Sequence, residues 1–444
     1  MQSLLERERA RLAERTPGSE AMLRRAERSL AGGVASSYHA REPWPIYLER
    51  GEGARVWDVD GHEYLDFHNG FSAMAQGHAH PAIGAAVARR QGLGTHFGAT
   101  TEDAVAVSEE LARRFGLPRW RFTNSGTESI MDAIRIARAH TGRDDVIKIF
   151  GSYHGHSDTT MVSIGVGYDE IGPDEAPRSL PWGAGIPAAT VEQVHTVHFN
   201  DAKAMERRIA ERVPACVVME AAMTNVGVVL PEPGYLDAVR EATRRHGVVL
   251  ILDEVKTGLT IAAGGAVERF GIRPDMVTLA KALGGGLPAG AIGMTAELAA
   301  LVEVGSVHHV GTYNGNPLGM AAARASLLEV LTPAAYERME VLGGRMVAGC
   351  DSVIARHGLQ AHTVGLGSKG CVVHSTERVV DYPSFKRRHD PELAELTWLW
   401  LMNRGLFVTP GREQEWNITV AHGESAVDRY VEAFDALAAE LGAV

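Results

Sequence analysis

Short apolar runs at 119–123, 146–150, 215–219, 248–252 and 275–279 recur through a stretch that begins near Pro81, and the segments between them carry helical periodicity. A strand followed by a helix and a further strand implies a crossover, and crossovers join parallel neighbours in a sheet that helices cover on both faces. The chain is therefore expected to be α/β, with a mostly parallel sheet at its centre. With 45% hydrophobic residues, its 444 positions supply enough core for such a sheet. Single cores stop growing at roughly 250 to 300 residues, so one large domain with smaller additions is the natural division.

The flanking segments differ. One helical segment ends near Thr16, a second runs to about Leu30, and Gly32-Gly33 interrupts the pattern. The run ARVWDVDGHEYLDF at 54–67 alternates around Asp60-Gly61, a β-hairpin signal. After a long helical candidate at 317–331 the order helix, strand, strand, helix suits a smaller α+β unit. The expected division is 1–75, an N-terminal segment joining the smaller domain; 76–325, the large domain; and 326–444, the smaller α+β domain.

A net charge of −11 opposes general nucleic-acid binding, which needs a basic face. Cys216, Cys350 and Cys371 are far apart and form no CxxC pair, which fits a reducing compartment. The charged start of the chain and the lack of an 18-residue apolar run predict a cytoplasmic protein that neither spans nor enters a membrane.

Three motifs follow strand candidates, where open α/β sheets place their ligands. In FTNSGTES at 122–129 a strand ends in small polar residues and a helix begins, leaving backbone N–H groups for a phosphate. The same residues also read as a helix cap, with Ser125 or Thr127 capping and Glu128 in the first turn. In ILDEVKT at 251–257 an apolar strand delivers Asp253, a carboxylate that needs a cationic partner or a place at an exposed strand end. In LAKALGGG at 279–286 Lys281 precedes three glycines; lysine forms Schiff bases, although a single lysine is usually a solvated charge.

Taken in order, NSGTES, FGSYHGHSD, the Glu220 strand, LDEVKTG, LAKALGGGLPAGAIG and GTYNGNPLGMAA resemble the class III aminotransferases. With GGV, VWDVDGHEYLDF and GHAHPAI the likeness spans nearly the whole chain, and it is nearest the glutamate-1-semialdehyde 2,1-aminomutase branch. The resemblance implies a fold-type I transferase with a mostly parallel seven-stranded sheet in its large domain. It also implies a pyridoxal 5′-phosphate (PLP) cofactor that passes through pyridoxamine 5′-phosphate, and a homodimer with active sites at the subunit interface. It makes Ser125, Gly126 and Thr127 the phosphate cradle, Tyr153 and Val255 the contacts on the two ring faces, and Asp253 the partner of the ring nitrogen. Lys281 becomes the Schiff-base lysine and acid/base, and Thr312 the residue reaching the neighbouring subunit's phosphate. Asn225 falls near the cofactor's phenolic oxygen, five residues after Glu220, although Ala221 stands where a proline is common.

The substrate residues depart from that pattern. The aminomutase branch has a carboxylate-binding arginine where this chain has His39; Arg41 lies two residues on, and Arg412 in TPGREQEW is a second candidate. Phe71 corresponds to an aromatic that lines the substrate pocket. The expected activity is transfer of an amino group from an amine or amino acid to a carbonyl acceptor by a ping-pong mechanism. A 2,1-aminomutase or racemase is the alternative, followed by an amino-sugar aminotransferase or a non-catalytic relative. GLGSKG at 365–370 reads as a turn rather than a dinucleotide fingerprint, and His78 and His80 as turn histidines rather than metal ligands.

Overall fold

The structure, a computed structural model, describes residues 1–410 and 414–442. After helices Gln2–Arg15 and Pro17–Ala26 the chain forms strands β1 (Leu48–Glu52), β2 (Arg55–Asp58) and β3 (Glu63–Asp66). The expected hairpin is β2 and β3, paired antiparallel with Arg55 opposite Leu65.

The central sheet contains β4 (Arg119–Thr123), β5 (Val146–Ile149), β6 (Val194–Val197), β7 (Cys216–Met219), β8 (Val249–Asp253), β9 (Met276–Leu279) and β10 (Gly290–Met294). Its spatial order is β4-β10-β9-β8-β7-β5-β6. The pairs from β9 through β8, β7 and β5 to β6 are parallel, whereas β10 runs antiparallel to both its neighbours. Sequence periodicity finds five of these seven strands. It misses β6 because VHTV mixes polar with apolar residues, and β10 because GAIGM continues out of a glycine-rich motif without a helix between.

Alternate residues of each parallel strand enter different cores. Val249 and Ile251 of β8 pack with Ile130, Ile134 and Ala137 of helix Gly126–Thr141. Leu250 and Leu252 pack with Leu111, Ile209 and Val239 from helices on the other face. Such two-sided burial explains why these strands read as unbroken apolar runs. By the same alternation Asp253 points to the face of the Gly126–Thr141 helix.

The remaining strands come from the C-terminal part. β11 (His362–Leu366) and β12 (Lys369–Val373) form a hairpin whose turn is the GLGSKG segment. β13 (Leu406–Phe407) joins β3 in parallel, and β14 (Gln414–Asn417) pairs with β12. Leu4 and Leu12 of the first helix share a core with Leu399, Trp400 and Phe434, so the two ends of the chain fold together. The helical candidate at 317–331 divides into helix Pro317–Ala325 and a π-turn, Ser326–Val330. Two further helices, Tyr382–Arg388 and Pro391–Met402, stand where the simple helix, strand, strand, helix order has none.

Candidate active site

β4, β8 and β9 end at a common cavity of about 420 Å³. At the end of β4, Ser125 caps helix Gly126–Thr141: its Oγ accepts the Glu128 amide at 3.2 Å, while Glu128 Oε2 accepts the Asn124 amide at 2.6 Å. The cap and the cradle are compatible, because the amides of Gly126 and Thr127 in the first turn have no acceptor within the helix. A Cβ on Gly126 would stand 2.9 Å from both methyl groups of Val255. Gly155, at φ +86°, lies so close to Thr127 that a Cβ would be 2.8 Å from its Cα. Both glycines therefore permit a close backbone approach beside the cavity.

Asp253 ends β8, buried. His154 Nδ1 lies 2.6 Å from its Oδ2, and the Val255 amide donates to Oδ1 at 2.8 Å. Ser152 Oγ holds the other ring nitrogen of His154 at 2.8 Å. The sequence motif YHG contains His154, but only the fold brings it to Asp253, 99 positions away. The adjacent acid has a different task. Glu254 accepts the amides of Ala266 at 2.9 Å and Val267 at 2.8 Å, capping helix Gly265–Phe270, and burial pushes its carboxyl up to about 7. Across the cavity, burial also raises the pKa of Glu220, whose carboxylate accepts the Thr224 hydroxyl. Asn225 Nδ2 donates to the Gly151 carbonyl at 2.6 Å.

Lys281 follows β9 with a left-handed backbone, φ +46°, a strained conformation for a residue with a side chain. Desolvation, and then the nearby charge of Lys256, lowers its amine to about 8 from the usual 10.5. Lys256 is itself paired with Glu415, Nζ to Oε1 2.6 Å, across 159 positions. Its place in LDEVKTG gives no sign of that partner, which only the packing of β14 supplies.

Ser125, Gly126, Thr127, Tyr153, Glu220, Asn225, Asp253, Val255 and Lys281 line this one cavity. Phe71, His39 and Arg41 instead line a second cavity of about 560 Å³. Thr312 is exposed on a loop and borders neither cavity. Arg412 lies outside the described residues. His78 Nε2 bonds Asp66 Oδ2 at 2.6 Å, and His80 caps a helix through the Ala82 amide at 3.3 Å. Among the described residues no cluster of His, Cys, Asp or Glu could hold a metal, and no helix is long and apolar enough to cross a membrane.

The seven-stranded sheet and the lysine cavity at its strand ends define a fold-type I enzyme that uses PLP. The chain belongs to the class III aminotransferase family, whose sequence model, described as aminotransferase class-III, matches residues 36–364. Glutamate-1-semialdehyde 2,1-aminomutase of Thermus thermophilus is 38% identical over 427 residues, covering 94% of this chain and 98% of that protein. An omega-transaminase from Sphaerobacter thermophilus is 34% identical with a TM-score of 0.91, over 97% of this chain and all of that one. A transaminase with PLP bound is 31% identical with a TM-score of 0.86, over 96% of this chain and 98% of that one.

Proposed function

We propose that Lys281 is the residue that joins PLP and that the enzyme moves an amino group at this site. The observation that carries the reading is the convergence, in one cavity, of a lysine amine lowered to about 8, a carboxylate held by His154, and a helix N-terminus with its cradle. Bound there, PLP supplies an aldehyde that captures amines and a ring that takes up electrons as a proton leaves the substrate carbon.

The chain's own residues supply the rest. Ser125, Gly126 and Thr127 hold the phosphate at the helix N-terminus, and Tyr153 and Val255 confine the ring between them. The Asp253 carboxylate, kept in place by His154 and the Val255 amide, favours a protonated ring nitrogen. Asn225 and Glu220 stand on the wall assigned to the phenolic oxygen. Lys281 Nζ titrates close enough to neutrality to act both as nucleophile and as carrier of the substrate proton. Thr312 is assigned to the phosphate of a partner subunit; Val310 and Tyr313 beside it are 80% and 60% exposed, an apolar surface that suits a homodimer contact.

Two forms of amino transfer use this machinery. The aminomutase relative supports migration within one molecule, of the glutamate-1-semialdehyde 2,1-aminomutase type, better than exchange between two substrates. Exchange, the two-substrate aminotransferase reading, has one observation of its own. His39 replaces the arginine of the aminomutase branch, and among the described residues no arginine lines the Lys281 cavity. Loss of a charge-assisted contact costs about 1.5 to 3 kcal/mol, or roughly 10- to 150-fold in retention of an intermediate. The test supplies one amine donor and no acceptor. Continuous formation of an isomer supports the aminomutase form. Stoichiometric free carbonyl with the cofactor left in its amine form supports exchange, and no conversion of the cofactor with any donor refutes amino transfer.

A further inference from the structure

Lys281 stands in a turn that its own backbone does not favour. At a residue with a side chain the left-handed conformation is roughly 5- to 30-fold less populated than the right-handed one. Its φ of +46° therefore has to be held by neighbours, and several of these come from the segment at 69–76. Ala73 of that segment lines the Lys281 cavity. A Cβ on Gly286, at φ +101°, would stand 3.1 Å from Met74 Sδ, so the glycine end of the lysine turn lies directly on Met74.

Gln76 adds a polar tie. Its buried Nε2 donates at 2.6 Å to the carbonyl of Ala282, the residue after Lys281, and at 2.5 Å to Ser326 Oγ. Ser326 opens the π-turn, and single π-turns in helices are frequent at functional sites. That turn is itself pinned from behind. Arg114 of helix Glu102–Phe115 donates Nη2 to the carbonyls of Leu327 at 2.6 Å and Leu331 at 3.1 Å. One side-chain amide thus spans the lysine turn and a fixed point.

The amide is costly where it stands. Its Oε1 is buried with no hydrogen-bond partner among the described residues. A dry acceptor destabilises the fold, and methionine would fill nearly the same space without one. The two N–H groups are what a glutamine supplies here, since a flipped amide would set Oε1 against the Ala282 carbonyl.

The segment arrives at Gln76 already fixed. Asn69, Gly70, Phe71 and Ser72 all have positive φ, at 51°, 57°, 58° and 74°, a run that persists only where the surroundings hold it. The holder is Asn417. Its carbonyl accepts Asn69 Nδ2 at 2.8 Å, while its Oδ1 accepts Ser72 Oγ at 2.7 Å and Lys369 Nζ at 2.6 Å.

From this geometry we propose that Gln76 is a positioning residue for Lys281: by fixing the Ala282 carbonyl it keeps the lysine turn left-handed and the amine in the cavity. The inference goes beyond amino transfer but rests on Lys281 being the residue that joins PLP. Without the tie the turn relaxes toward the right-handed region. The amine then swings away from the titratable groups around it, Asp253, Glu220, Glu415, Lys256 and Lys369, and into water.

The test uses Gln76→Met in the cofactor-free full chain, with Ser326→Ala as a second variant that removes only the far anchor. Capture of PLP, followed by the visible band of the bound cofactor, should slow about tenfold in Gln76→Met and by a smaller factor in Ser326→Ala. A second readout needs no cofactor. The pH midpoint for carbamylation of Lys281 by cyanate, read by peptide mapping, should lie at about 8 in the unmodified chain. It should rise by about one unit in Gln76→Met, because a tenfold gain in the solvated population is one unit. Val353→Ala, a truncation in the core shared by the two chain ends, lowers stability and should leave both readouts unchanged. Unchanged capture or an unchanged midpoint in folded Gln76→Met overturns the proposal, as does equal slowing in Val353→Ala. If Gln76→Met does not fold, Ser326→Ala carries the test with the same two readouts. A borohydride adduct on another lysine instead sinks the Lys281 reading, and the carbamylation midpoint alone then decides the role of Gln76.

Discussion

The two cavities, separated by a few aromatic rings, are built on opposite plans. Around Lys281 the chemical groups sit at the last residue of a buried strand or two residues beyond one, so Asp253 and Lys281 inherit their positions from the rigid centre of the sheet. The Tyr38–Phe71 cavity is assembled from segments more than 300 positions apart, as in the 3.1 Å contact of His68 Nδ1 with Thr409 Oγ1. The first plan fixes reacting groups at the precision of a strand register. The second leaves the shape of the cavity to the packing of the two chain ends.

That difference can be broken most decisively at Lys281. Lys281→Ala should lower turnover by at least about 100-fold, because a positioned acid/base contributes roughly 10²- to 10⁴-fold. Borohydride reduction of the unmodified enzyme should leave the cofactor on Lys281, as read by peptide mapping. An adduct mapped to another lysine would remove Lys281 from its role.

A smaller loss, about 10- to 150-fold in turnover with the cofactor still bound, is expected of Asp253→Asn, since the neutral amide gives up a charge-assisted contact. Cofactor absorbance checks retention and steady-state rates check the loss; near-normal activity would show that His154 and Asp253 serve only the fold.

At the second cavity the expected penalty appears in stability. Asn417→Ala removes the acceptors of Ser72 and Lys369 and should destabilise the chain by about 1 to 3 kcal/mol, measured by urea unfolding. Unchanged stability would show that these contacts do not hold the Asn69–Ser72 segment.

The smallest effects concern pH. Because the folded-state pKa of Lys281 is lowered to about 8, capture of PLP by the cofactor-free protein should accelerate as pH rises through about 8 and level off above it. His68, lowered to about 4, binds fewer protons folded than unfolded between about 4 and 6.5, so its contribution to stability declines as pH falls through that window.

Much of this molecule was legible in the chain itself. The unbroken apolar runs announced a sheet buried on both faces, because crossover helices leave a parallel strand no wet side. The motifs at the strand ends named Ser125, Asp253 and Lys281, since a residue directly after a strand needs no distant information to be placed. Contacts across long separations were not legible. His154 against Asp253, Lys256 against Glu415, and Asn417 holding the Asn69–Ser72 turn join residues whose sequence spacing carries no period. The antiparallel β10 and the mixed β6 were hidden for a related reason, as their place in the sheet comes from neighbours rather than from their own alternation. Local backbone geometry and hydrophobic burial act over a few residues and so are written in the sequence. The second cavity, its neutral histidine and its strained aromatic turn arise only when both ends of the chain close on each other, because desolvation and side-chain complementarity exist only between surfaces already brought together.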